Sequence, residues 1–183
     1  MINWHDVPEW VMGGNDEFGV CAFVSCANQL VLLGQGVMGP GEVLNAARVI
    51  EGLNTQDRST DKGENMEALF TYLKAQGWPS DPTLKIWDWS PIDTPDIAAA
   101  IAECGGVPAW CMLPMTEDGS DYAFDNEALF RGAAGKFAHA VCIVEDDGRD
   151  LSFVTWTRIQ KVSRSWWEAY GRQAYKVQWT DIV

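Results

Sequence analysis

Residues 21–33, Cys21-Ala22-Phe23-Val24-Ser25-Cys26-Ala27-Asn28-Gln29-Leu30-Val31-Leu32-Leu33, decide the fold. Apolar side chains lie nearly all round a helix drawn through them, with polar atoms only at Ser25, Asn28 and Gln29, which predicts a helix buried on every side. Gly34 closes it as a C-cap. Upstream, Met1 to Gly19 carries Trp4, Trp10 and the turn-rich run Gly13-Gly14-Asn15-Asp16, the pattern of an ordered loop draped over a core.

Downstream, helices are expected over Gly41 to Glu51 and Glu64 to Gln76. In the second, Met66, Leu69, Phe70 and Leu73 recur at the helical period, Asp61 and Glu64 have capping-box spacing, and Gly77 with Pro79 stops the run. Leu84 to Trp89 reads as a strand, and Thr94-Pro95-Asp96 opens an alanine-rich helix that ends at Gly105-Gly106. Strands follow over Val107 to Leu113, Phe137 to Val144 and Leu151 to Thr157, the last two joined by the acidic turn 145–148. A Ser165-x-x-Glu168 box predicts a final helix through Tyr170, and Ala174 to Trp179 a last strand. Helices first and an antiparallel sheet second make an α+β order, read as a single domain over residues 1–183, mainly helical to about residue 105 and mainly sheet from about 106.

Composition narrows the functional classes. Twenty-six acidic against thirteen basic side chains give a net charge of −13, which repels nucleic-acid phosphates and anionic membrane surfaces. No bilayer-length apolar run and no basic-then-apolar leader is visible, so the chain is expected to be soluble, unexported and free of membrane partners. The five cysteines are odd in number and form no CxxC pair, which argues for reduced thiols and against a disulfide framework or a zinc site. Ten tryptophans serve mostly the core, with a minority left to line a cleft.

Two residues stand out for chemistry. Cys21 sits at the N-terminus of the buried helix, where backbone N–H groups and the helix dipole favour a thiolate, and Gly19 just before it allows a substrate backbone to approach. A thiol nucleophile needs a base, and His5 and His139 are the only histidines. His139 interrupts the apolar run Phe137-Ala138-His139-Ala140-Val141-Cys142, where an imidazole is costly to bury without a specific partner.

The run from Asn15 through Gly19-Val20-Cys21 to Phe23, the stretch Phe137-Ala138-His139-Ala140-Val141, and Phe153-Val154-Thr155-Trp156 together resemble papain-like cysteine peptidases, more closely the small papain-like proteins of phage and bacterial genomes. The resemblance implies a papain-like α+β fold with Cys21 as nucleophile, His139 as general base and acid, and Asn15 in the place of the glutamine that helps hold the oxyanion. It departs at Val154, which stands where the family has the asparagine or aspartate that orients the histidine. Thr155 is then the expected substitute, ahead of Gln160, Asp146 and Asp147. Ala138 and Thr157 stand where the relatives have glycine.

Two functions are therefore expected. One is a thiol hydrolase that cuts a peptide, isopeptide or cell-wall amide bond without a cofactor, its partner a peptide or protein substrate. The other is a papain-like scaffold without turnover that binds virion proteins. The resemblance places either in the cytoplasm of a bacterial host or on a virion. A third idea, an acidic inhibitor of nucleic-acid-binding proteins, rests on the charge alone. The run Gly34-Gln35-Gly36-Val37-Met38-Gly39 follows a helix and lacks a phosphate-binding lysine, so it reads as a connection. The Glu145-Asp146-Asp147 cluster lacks calcium-ligand spacing, and Trp166, Trp167 and Tyr170 read as packing residues.

Overall fold

The computed structural model describes residues 1–116, 121–125 and 136–180. The helices are α1 (Cys21–Leu32), α2 (Pro40–Glu51), α3 (Met66–Gln76), α4 (Ile97–Cys104) and α5 (Arg164–Tyr170). The strands are β1 (Ile86–Ile92), β2 (Val107–Pro114), β3 (Lys136–Asp146), β4 (Asp150–Thr155), β5 (Arg158–Ser163) and β6 (Gly171–Trp179). These form one sheet in the order β1-β6-β2-β3-β4-β5, and every neighbouring pair is antiparallel. The α+β class holds, with one difference in layout: β1, from the mainly helical half, closes one edge of the sheet against β6.

The sheet has a hydrophobic cluster on each face. On one, α1, α2 and α3 pack against Ala140, Tyr175, Val177 and Trp179; on the other, α4 and α5 pack against Ala109, Val141, Ile143 and Phe153. Alternation along β3 thus sends Ala140 towards α1 and Val141 and Ile143 away from it, as a period of two requires.

Helix α1 is the most buried element, with every residue from Ala22 to Leu32 inside. Its three polar side chains are all satisfied, as buried polar groups must be. Ser25 Oγ donates to the Val141 carbonyl at 2.6 Å, and Asn28 Oδ1 accepts the Val11 N–H at 2.8 Å. Gln29 Nε2 faces the carbonyls of Cys104, Gly106 and Val177 at 3.2, 2.9 and 2.9 Å, while its Oε1 accepts the Trp179 indole N–H at 2.8 Å. Burial on all sides leaves rotation about the helix axis unspecified by hydrophobicity, and these bonds set it.

Helix α1 starts at Cys21 as expected, but the caps of α3 and α5 differ from the expected ones. Asn65 caps α3, its Oδ1 accepting the N–H groups of Glu67 and Ala68, so the Asp61–Glu64 box does not form. Ser163, rather than Ser165, caps α5 through the Trp166 N–H. The expected strand Leu151 to Thr157 ends at Thr155, and Trp156 and Thr157 turn the chain with φ of 43° and 61° into β5, which the sequence reading did not anticipate. Positive φ at both central residues is the signature of a two-residue hairpin turn whose twist matches that of its strands.

Replacing Gln29 by leucine leaves the Trp179 N–H and the three carbonyls without their side-chain partner. Gln29→Leu is expected to cost about 3 kcal/mol of unfolding free energy in urea melts.

Candidate active site

Cys21 opens α1 behind Val20, and the segment leading to it is pinned from outside. Both carboxylate oxygens of Asp61 accept the Gly19 N–H, at 3.0 and 3.1 Å, and Arg58 donates to the Glu17 carbonyl. A Cβ on Gly19 would lie 2.9 Å from Asp61 Oδ1. A Cβ there would press on the clamping carboxylate, and Gly19 also lines the cleft described below.

His139 lies on β3 and is almost fully buried. Its Nε2 meets Thr155 Oγ1 at 2.9 Å, and Trp156 stacks on the ring with centroids 4.5 Å apart and planes 14° from parallel. Tyr122 continues the stack on Trp156 at 5.0 Å. Val154 turns to the opposite side of its strand, packing with Trp10, Leu32 and Cys142. Gln160 bonds the Lys161 carbonyl, and Asp146 and Asp147 are spent on their own turn and on Arg164 and Lys161.

Cys21, His139 and Asn15 line one cleft of about 1250 Å³. Thr155 is not at its surface but stands behind the histidine. Among the described residues no hydrogen bond joins the Cys21 sulfur to the imidazole. The Ala140 N–H, one residue beyond His139, does act on the sulfur, as do the N–H groups of Ala22 and Cys21 itself. His5 stands apart, stacked on Trp4. The other four cysteines are buried, and among the described residues no three His, Cys, Asp or Glu side chains are placed to hold a metal ion.

The electrostatics run against the simplest expectation. Burial raises the Cys21 thiol pKa above its ordinary value, and the three backbone N–H groups offset that only in part. Burial also pushes His139 down to about 4. The free protein therefore holds a neutral thiol and a neutral imidazole at pH 7, the imidazole on the side of β3 that carries Val141. The helix N-terminus acts in the expected direction, and desolvation outweighs it.

Sequence reasoning missed Glu51 altogether. It lies at the end of α2, and its pKa is raised to about 8, first by burial and then by hydrogen bonding to and repulsion from Glu64. The spacing of Glu51 and Glu64 carries no local signal, since they meet only when α2 and the segment before α3 are folded together.

No protein-family model matches the chain, and no curated protein matches it significantly.

Two measurements test this description. A β-branched residue at positive φ is strained, so Thr157→Gly is expected to stabilise the protein by about 1 kcal/mol in urea melts. Glu51 has a folded pKa above its unfolded one, so its contribution is fully present below about pH 4.5 and is lost as pH rises through 8. Glu51→Gln is therefore expected to melt at a higher temperature than the parent protein, by a margin that widens from pH 5 to pH 8.

Proposed function

We propose that this chain is a papain-like thiol hydrolase that cuts an amide bond in a peptide or protein with Cys21 as nucleophile and His139 as base. The observation that carries the reading is the cleft: a cysteine at the first turn of a buried helix and a histidine on β3 line one cavity, with a hydroxyl bonded to Nε2 of the ring. Thr155 thereby serves as the positioning residue that Val154 cannot be. With Nε2–H donating to Thr155, Nδ1 keeps its lone pair and acts as the base.

Chemistry starts from the neutral pair. As the sulfur attacks the carbonyl carbon, the thiol proton passes to His139 Nδ1, the S–C bond forms, and the carbonyl electrons move to oxygen. The Asn15 amide and the Cys21 N–H are the proposed donors to that oxyanion. Collapse of the intermediate expels the amine, which takes the proton from His139 and leaves a thioester. Water then gives a proton to His139 and its hydroxide to the thioester carbon, and the departing sulfur recovers the proton. A base with a pKa near 4 is a weak proton acceptor at neutral pH, so turnover is expected to be slow.

The neutral pair also supports a second reading, a scaffold that binds peptide or virion proteins in the same cleft without cutting them. The two readings separate on the reactivity of the sulfur. Iodoacetamide labelling followed by peptide mass mapping should modify Cys21 at least tenfold faster than the buried Cys26 and Cys142, and Thr155→Val should slow cleavage of a fluorogenic peptide mixture through kcat more than through KM. A Cys21 no more reactive than the buried thiols, together with no turnover from pH 5 to 9, would remove the hydrolase and leave the scaffold.

A further inference from the structure

We propose that residues 58–65 are a strap along the cleft, held down against Gly19 by a proton that the Glu51 and Glu64 carboxyls share, and that loss of this proton lets the strap lift. The inference concerns access to the cleft and holds whether the cleft cuts a substrate or only binds one.

The strap belongs to the connection between α2 and α3 and has no apolar anchor of its own. Leu53 and Met66 are buried, and no side chain between them is. A segment without buried apolar side chains opens at little cost, so its polar contacts decide whether it stays down. Asp61 accepts the Gly19 N–H with both carboxylate oxygens, and Arg58 donates to the Glu17 carbonyl while lying 4.3 Å from the Phe18 ring centre. The remaining tie runs from Glu64 to Glu51 at the end of α2. Asp61, Glu64 and the residues between them line the same cleft as Gly19 and Cys21, where they form an acidic wall.

The tie to α2 is the one that carries a proton. Two carboxylates offer acceptors and no donor, so the hydrogen bond between Glu51 and Glu64 exists only while one of them is protonated. Burial and the neighbouring Glu64 keep that proton on Glu51 up to about pH 8. Glu51 Oε1 is itself buried without a hydrogen-bond partner, so ionisation leaves charge on an oxygen that neither water nor protein stabilises.

The groups around Glu51 offer no relief. Glu64 and Asp61 of the strap are acidic, and on α1 the Cys21 thiol is held further from ionisation by the Glu51 charge. Arg48, three residues earlier on α2, is turned to Asn45, and Lys62 of the strap is exposed. Among the described residues no lysine or arginine is in a salt bridge with Glu51, Asp61 or Glu64. Ionised Glu51 therefore repels both Glu64 and the residue that clamps Gly19, and lifting the strap returns all three carboxylates to water. The sign follows from linkage: Glu51 holds its proton more tightly with the strap down, so the closed form is favoured in acid and loses that advantage as pH rises through 8.

Trypsin reads the strap at two bonds, after Arg58 and after Lys62. Cleavage of the whole chain is followed by peptide mass mapping from pH 6 to pH 9, each rate divided by that of a free peptide of residues 54–66 at the same pH. The normalised rate should rise at least tenfold between pH 6 and pH 8 and level off above, where Glu51 is ionised in both forms. Glu51→Gln can donate to Glu64 at every pH and should remove the rise. Glu64→Gln supplies Glu51 with a donor that does not titrate and should independently do the same. Cleavage after Lys161 on β5 and Lys176 on β6 reports opening of the whole fold and should stay slow throughout. A flat profile in the parent protein, a rise that persists in both glutamine variants, or an equal rise at Lys161 and Lys176 would overturn the proposal.

Discussion

The arrangement depends on how α1 is seated against the sheet. A helix that is apolar on every side is driven inward by the hydrophobic effect, but that force is non-directional and leaves the rotation of the helix open. Ser25, Asn28 and Gln29 close the choice, because each polar group must find a partner in a medium without water. Gln29 alone ties the helix to the end of α4, the start of β2 and the last strand. Cys21 is one helical turn before Ser25, so the bond from Ser25 to the Val141 carbonyl also carries the sulfur to β3, beside the Ala140 N–H. The cleft is a consequence of that seating.

Its electrostatics follow from depth. Packing removes both Cys21 and His139 from water, and desolvation favours the uncharged form of each. Trp156 covers one face of the imidazole, and Thr155 offers a hydroxyl where a charged or amide partner would hold an imidazolium more strongly. The result is a neutral pair in a cleft with an acidic wall.

Much of this was legible in the chain. The buried helix, the α+β order, the limits of α2 and the positions of β2, β3 and β6 rest on local periodicity and on Gly and Pro punctuation. The misplaced helix starts were errors of choice among neighbouring polar residues: Asn65 and Ser163 cap as well as the residues favoured over them. β5 was overlooked because Trp156-Thr157 is not turn chemistry, and only pairing with β4 and the stacking of Trp156 on His139 hold those residues at positive φ. Thr155 could be named as the partner of His139 because few polar side chains lie near the end of that strand.

By itself, then, the sequence determined which segments had to be inside and which periodicity most of them would follow, and it offered one cysteine at a helix start and one strand histidine as candidates for chemistry. Tertiary structure decided what these residues meet: the Asp61 clamp on Gly19, the Glu51–Glu64 contact, the acidic and aromatic walls of the cleft, and the neutral state of both reactive groups. Those properties depend on distance and exposure between segments remote in the chain. Periodicity and capping are set within a few residues, whereas desolvation and charge coupling exist only once the segments have packed.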